Sequence, residues 1–325
     1  MTAPDPPLET SGPWMSVILV TDRYQTIGEV IARLRSQTVR DHLEIVIVAP
    51  SGQPEEWDQS ALEVFAGVRL VEVSSIWPLA AARAAGVRAA SAPVVVIGET
   101  HAFPQPGWAE ALIKAHAQPW AVVVPAFENA NPDSALSWAA FLRDYGLWVD
   151  GLPAREIAFV PPYNTATKRE VLLGLGGSLE RMVSQGEELA TSLRAGGHRS
   201  YFEPAAKIDH INLSRPRSWL AQRFLTGQVL AAGRAERWSR VRLLLYACAG
   251  PLIPLVILSR LIGSVRLMQR TGRLPAGTVF ALVLGAIASA AGEVVTYAAG
   301  ARPDIKLRLD RYELYKLRYI SFPAQ

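Results

Sequence analysis

From Met15 to residue 125 the chain alternates short apolar runs with longer stretches rich in Ala, Leu and Arg. The runs MSVILV (15–20), EIVIVA (44–49), VRLVEV (68–73), PVVVIG (93–98) and WAVVVP (120–125) are dominated by Val and Ile and are too short for helices. They are predicted as strands, with helices over 25–37, 79–90 and 107–117 between them. This alternation is the signature of an α/β fold, a mostly parallel sheet with crossover helices. In open sheets of that class ligands bind outside the carboxyl ends of the strands, so chemistry is expected just after Val20, Val48, Val73 and Ile97.

The pattern then loosens. Pro132, Asp133 and Ser134 carry a helix start that runs to Tyr145, and GLPAREIAFVPP reads as a loop followed by a short strand. After residues 164–168 come a helix near 169–175, a turn at Gly176 and Gly177, a helix over 186–195 and a strand over 199–203.

Beyond His210 long apolar stretches take over. Residues 217–234 are predicted as a basic amphipathic helix, offering Trp219, Phe224 and Leu225 for apolar contacts and Arg223 and Arg234 for phosphates. A helix docked on the preceding domain is an equal reading. Residues 243–262 form a helix of about 30 Å, enough to cross a bilayer, although Pro251, Pro254 and Arg260 interrupt them. Residues 278–299 are a second such run, interrupted by Glu293. Two spans would leave Arg266, Arg270 and Arg273 on the far side, against the positive-inside tendency, which favours a re-entrant or interfacial first segment. A buried helical subdomain of a soluble protein is the remaining alternative.

Composition sharpens this picture. With 325 residues, half of them hydrophobic and 19% charged, the chain has material for about two packed domains and is not a disordered tail. Its single cysteine, Cys248, forms no internal bridge, so a reducing compartment is expected. Residues 1–14 are read as a flexible lead without the basic start and apolar run of a secretory signal. The net charge of +4 conceals a division: from Ile211 onward 17 Lys and Arg face 5 Asp and Glu, and residues 1–210 are net acidic. A basic, apolar C-terminal part points to anionic membrane lipids. No zinc-finger, RNP-like or GxGxxG pattern accompanies it, so nucleic acid is not an expected partner.

Several local patterns over residues 15–212 then resemble the family 2 glycosyltransferases with the A-type fold. The opening strand and the helix ending LRSQTV match that family's start, and AARAAGVRAASAPVVVIGETHAFPQPGW resembles its "aRN.G…DdD…p.w" stretch. YNTATKREVLLGLGG resembles "gaN.a.rR.v….GGf", and RAGGHRSYFEPAAKIDH resembles the closing "aGyr….p.a…H". The resemblance implies a Rossmann-like catalytic domain over 15–212. After it come an interfacial helix region (213–242), transmembrane or re-entrant helices (243–300) and a basic tail (301–325). AAGEVVTYAAG is similar to a segment that follows the catalytic domain in membrane-associated members. The implied enzyme is a hexosyltransferase-like protein on the cytoplasmic face of the inner membrane, transferring sugar with inversion from a nucleotide-sugar donor to a glycan or lipid-linked acceptor in cell-envelope polysaccharide or glycolipid synthesis.

Each residue role follows from that resemblance. Where the family has D-x-D this chain has Glu99-Thr100-His101. The carboxylate suits Mg²⁺ or Mn²⁺, and the imidazole shifts preference towards Mn²⁺. His210 is the matching third metal or pyrophosphate contact. The base-reading Asp after the second strand is replaced by Ala49-Pro50-Ser51, leaving Thr21 and Asp22 as substitutes, and Arg83 falls on the motif arginine as a donor-phosphate ligand. Glu188, with Glu187 beside it, falls on the family's acid that deprotonates the acceptor. Asn164 and Thr165 fall on the acceptor side. The loss of D-x-D and of the base-reading Asp keeps open a second reading, a catalytically degenerate nucleotide- or glycan-binding relative at the membrane. Nucleotidyl transfer is a third.

Overall fold

The structure, a computed structural model, describes residues 12–52, 58–184 and 186–321. The chain divides into two compact units: Met1–Glu128 with Asp150–Asp209, and Asn129–Val149 with His210–Gln325.

The first unit is built on a nine-stranded sheet. Its strands are β1 (Met15–Val20), β2 (Leu43–Pro50), β3 (Gly67–Val73), β4 (Val94–Ile97), β5 (Ala102–Pro104), β6 (Val122–Asn129), β7 (Arg155–Ile157), β8 (Ala166–Lys168) and β9 (Ser200–His210). They lie in the order β3-β2-β1-β4-β8-β6-β9-β5, with β7 paired to β9. β6 and β9 each run one residue past the division between the units. β3, β2, β1 and β4 are mutually parallel, whereas β8 runs antiparallel to both β4 and β6. Every residue of β1 and β4 is buried, as expected for strands covered on both faces, which explains their predominantly apolar sequence.

The crossover helices are α1 (Tyr24–Arg35), the short α2 (Gln59–Leu62), α3 (Leu79–Ala89) and α4 (Trp108–His116). α1 buries Ile27, Val30, Ile31 and Leu34, a stripe at helical spacing. α3 buries Ala80, Ala82, Ala84 and Gly86 among its contacts, and a Cβ on Gly86 would strike Ile18 of β1, so the helix lies close on the sheet.

The second unit is helical. It begins with α5 (Ala135–Tyr145), capped by Ser134, whose hydroxyl accepts from the amides of Leu136 and Ser137. The first unit contributes the next helices in chain order, α6 (Arg169–Leu173), α7 (Leu179–Met182) and α8 (Gly186–Ala195). The second unit resumes with α9 (Pro216–Ala235), α10 (Arg240–Cys248), α11 (Ile253–Arg270), α12 (Thr278–Ala299) and α13 (Ile305–Leu314).

Several expectations are corrected. The strand placed at 120–125 begins at Val122 and continues to Asn129, because Ala126 and Phe127 are also fully buried. The strand placed at 199–203 extends to His210. The three-residue strands β5 and β8 carry no pattern long enough to read. The single helix expected over 243–262 is two helices separated by a 3-10 turn at Gly250–Leu252. Pro251 and Pro254 withhold the amides a continuous helix would need. Arg223 and Arg234 of α9 are not held out for phosphates. Arg223 is buried in a bidentate pair with Asp144 (2.7 and 2.8 Å), and Arg234 binds Glu293 at 2.9 Å. Trp219 and Leu225 are buried in the helix packing of this unit.

Candidate functional site

β1 and β4 are adjacent and parallel, and the Gly98 amide donates to the Ile18 carbonyl, so their carboxyl ends open on one edge of the sheet. Thr21 and Asp22 follow β1, and Glu99, Thr100 and His101 follow β4. A side chain on Gly98 would meet Leu19, which keeps the chain tight as it leaves the strand.

Glu99 and His101 are both buried, with the imidazole Nε2 3.6 Å from a Glu99 carboxylate oxygen. The other carboxylate oxygen accepts from Asn164 Nδ2 at 2.6 Å, and Asn164 Oδ1 accepts from the Glu99 amide at 3.3 Å. Asn164 therefore brackets Glu99 from main chain and side chain. It does so at φ 56°, the left-handed region that Asn tolerates better than most residues, and its own amide donates to the Ile97 carbonyl. Glu99, His101 and His210, the last residue of β9, each offer one ligand atom, and these atoms all lie within 4.8 Å of one another.

The orientation of His210 is fixed locally. Asn212 Nδ2 donates to the His210 carbonyl (2.8 Å) and to Asn129 Oδ1 (2.9 Å), which leaves Asn212 Oδ1 facing His210 Nδ1 at 2.9 Å. An acceptor there requires the proton on Nδ1, so Nε2 carries the lone pair that a metal would use. Asn131 holds Asn212 in turn, accepting from its amide and donating to its carbonyl, both at 2.8 Å. One carboxylate and two imidazoles fit a divalent ion, and the two nitrogens favour Mn²⁺ or another transition metal over Mg²⁺.

Arg83 on α3 is 5% exposed, stacks on the Tyr163 ring at 3.8 Å, and has a buried Nη1 without a hydrogen-bond partner among the described residues. A guanidinium held flat with a spare donor is suited to an anionic oxygen. Thr165 is occupied locally, donating to the Pro161 and Tyr163 carbonyls, and so shapes the loop that presents Asn164. Thr21 similarly turns the chain after β1, its hydroxyl donating to the Arg23 carbonyl at 2.6 Å. Asp22 is half-buried beside Arg23.

Glu187 and Glu188 open α8. Glu187 is exposed, while the Glu188 carboxylate lies 3.2 Å from Arg181. Gly186 fits α8 against the loop before Asn164: a Cβ there would sit 2.5 Å from the Val160 carbonyl oxygen. The loop over 160–165 thus touches α8 at one end and Glu99 at the other. Sequence reasoning passed over Asn212, Asn129, Asn131 and Tyr163. The His-x-Asn spacing at 210–212 was the available signal.

Residues 16–175 match the family model described as glycosyl transferase family 2. Among solved structures, the mannosyltransferase PcManGT from Pyrobaculum calidifontis, in complex with GDP-Man and Mn²⁺, is similar at 19% identity and a TM-score of 0.54. That match covers 90% of this chain and 89% of that one. GalNAc-T7, solved with UDP, GalNAc and Mn²⁺, is similar at 15% identity and a TM-score of 0.48. Here 61% of this chain is covered, spanning 43% of the other's length. No curated protein matches the chain. The mixed, mostly parallel sheet followed by C-terminal helices is the A-type glycosyltransferase fold.

Proposed function

Because the chain belongs, through residues 16–175, to glycosyl transferase family 2, we propose that it is a membrane-associated, metal-dependent enzyme that moves a hexose from a nucleotide sugar to a glycan or lipid-linked acceptor with inversion. The observation that carries this reading is the convergence of the Glu99, His101 and His210 ligand atoms beyond β4. PcManGT, one similar structure, was solved with GDP-Man and Mn²⁺. Anionic lipids and the cytoplasmic face of the inner membrane belong to the same proposal, supported by two C-terminal helices long and apolar enough to cross a bilayer. So does a role in building cell-envelope polysaccharide.

In this reading Glu99, His101 and His210 hold the ion, which when bound neutralises charge on the leaving diphosphate. Arg83 donates its spare N–H to a phosphate oxygen, and Thr21 and Asp22 line the nucleotide side. The acceptor hydroxyl oxygen attacks the anomeric carbon from the opposite face. The bond to the diphosphate oxygen breaks, the electron pair leaves with the nucleoside diphosphate, and the hydroxyl proton passes to the Glu188 carboxylate, which Arg181 orients. Asn164 keeps Glu99 in place, and Thr165 fixes the loop on the acceptor side.

A second reading, nucleotide or glycan binding without turnover, is favoured by one observation: Glu99 is the sole carboxylate of the cluster and already accepts from Asn164. One experiment separates the two. UDP- and GDP-sugars are incubated with Mn²⁺ and an acceptor panel, and release of nucleoside diphosphate and binding are both followed in wild type, Glu99→Gln and Glu188→Gln. Transferase function predicts metal-dependent release that falls by at least about a hundredfold in Glu188→Gln while donor binding persists. Binding without release, unchanged by Glu188→Gln, would establish the second reading.

A further inference from the structure

We propose that the helical second unit lies in the plane of one leaflet of an anionic membrane, with α10, α11 and α12 as its contact layer, instead of spanning the bilayer. The proposal deepens the membrane association put forward above and rests on it.

The polarity of α12 is inverted relative to a helix on a water-soluble surface. Its polar residues Thr278, Ser289, Glu293, Thr296 and Tyr297 are all buried. Its outward stripe, Phe280, Leu284, Ile287 and Val295, is apolar and follows helical spacing, with Phe280 67% exposed. α10 buries none of its residues and exposes Val241, Leu244 and Leu245. The first turns of α11 expose Leu255 and Val256. Apolar side chains exposed on α12 and on the two helices packed against it, α10 and α11, call for an apolar partner.

The other faces of the layer exclude a span. The inner face of α12 is fused to α9: a Cβ on Gly227 would fall on the Ser289 carbonyl, and one on Gly292 on the Phe224 carbonyl. α9 carries the ion-paired Arg223 and Arg234, and on its far side Gln222 reaches Glu313 of α13 at 3.3 Å. α13 bears Lys306, Arg308 and Arg311. The order is therefore apolar layer, α9, charged helix, with one face for lipid and one for water. A crossing α11 would also place the exposed Arg260 at the midpoint of Gly250–Arg270, where an arginine is most costly.

Charge complementarity selects an anionic lipid surface over a second copy of this basic unit. Exposed Arg240 and Arg242 flank the apolar layer at α10, and exposed Arg266 and Arg270 flank it at the end of α11. Trp238 and the exposed Tyr246 pack together beside the first pair, with the Arg242 guanidinium 4.1 Å from the Trp238 ring. Aromatic rings and arginines bordering an apolar face are the elements of interfacial anchoring.

The test has three arms on the full-length chain. First, purified protein should float with phosphatidylglycerol-containing vesicles and more weakly with phosphatidylcholine. Arg266→Gln/Arg270→Gln should weaken the anionic partitioning about 25-fold, at about fivefold per arginine. Second, Glu236→Cys, Thr271→Cys and Ala301→Cys are made singly in a Cys248→Ser background. All three should react with an impermeant maleimide from the same side of sealed membranes. Third, Ile287→Asp should abolish flotation while keeping its melting temperature and its transfer to a soluble acceptor. Labelling of any one site from the opposite side would overturn the in-plane arrangement and retain membrane association. No flotation by wild type would overturn both, and concentration-dependent dimers in its place would assign the apolar face to a second copy. Transfer to the soluble acceptor reports on the enzyme reading separately.

Discussion

His116 ends α4 with its imidazole buried, and burial pushes its pKa down from 6.5 to about 4. Lys168 adds to the depression, while the nearby backbone of Ala166 and Trp120 opposes it without prevailing. The folded protein therefore keeps this histidine neutral at acidities where the unfolded chain protonates it. Between pH 6.5 and about 4 the unfolded state binds more protons, so stability falls as the pH falls through that window and is fully present above it. Two and a half units correspond to about 3 kcal/mol in full, of which about 2 kcal/mol is lost between pH 7 and pH 5. The consequence reaches the site, since Ala166 starts β8 immediately after Asn164 and Thr165. Urea unfolding of wild type and His116→Gln at pH 7 and pH 5, in one detergent, checks this. Glutamine lowers the midpoint at both pH values but removes the titration, so the variant's loss between pH 7 and 5 should be smaller by about 2 kcal/mol. Equal losses in the two proteins would refute the reasoning, because the histidine would then not be held neutral by the fold.

Other outcomes follow from single contacts. Arg83→Gln should weaken nucleoside-diphosphate binding about 10- to 150-fold, the worth of a charged hydrogen bond, with an unchanged melting temperature; calorimetric titration measures it. Glu44, buried at the start of β2, accepts from the Ser16 hydroxyl at 2.5 Å and the Ser91 amide at 2.8 Å. Glu44→Ala strands both donors and should cost about 1–3 kcal/mol each in chemical denaturation. Gly227→Ala drives a methyl into the Ser289 carbonyl and should destabilise by about 1–3 kcal/mol. Gly263→Ala in α11, where nothing lies within 4 Å, should stabilise by about 0.5–1 kcal/mol; thermal unfolding of the pair tests whether the α9–α12 packing is as close as described.

The sheet was legible because its central strands are buried on both faces. β1, β2 and β4 read as runs dominated by Val and Ile, and α1 and α3 come out within a few residues of their predicted limits. The C-terminal half was less so. A hydropathy pattern reports how apolar a helix is and not which way its apolar face points. Thr278–Ala299 was recognised to its end residues, yet its polar residues turned inward on α9, which no periodicity rule for soluble helices anticipates. The same limit hid Arg223: a basic side chain on a predicted surface helix reads as exposed until Asp144, 79 residues earlier in sequence, arrives beside it.

The candidate site shows a related division. Glu99, His101 and His210 were named from motif positions, but what orients the His210 imidazole is a set of three asparagines spread over 129–212. Asn212 determines which nitrogen bears the proton, and the side chain of Asn131 determines where Asn212 can stand. This makes Asn212 a positioning residue with a distinctive expected signature. In Asn212→Asp the carboxylate still accepts from Nδ1 but can no longer donate to the His210 carbonyl or Asn129, so the tautomer is kept and the strand end is loosened. In Asn212→Leu the tautomer preference itself is lost. Mn²⁺ affinity of the nucleotide-free protein should therefore fall by about 10- to 100-fold in Asn212→Leu and be largely kept in Asn212→Asp. Equal losses in both variants would mean that Asn212 merely packs the end of β9, and that the imidazole finds its orientation without it.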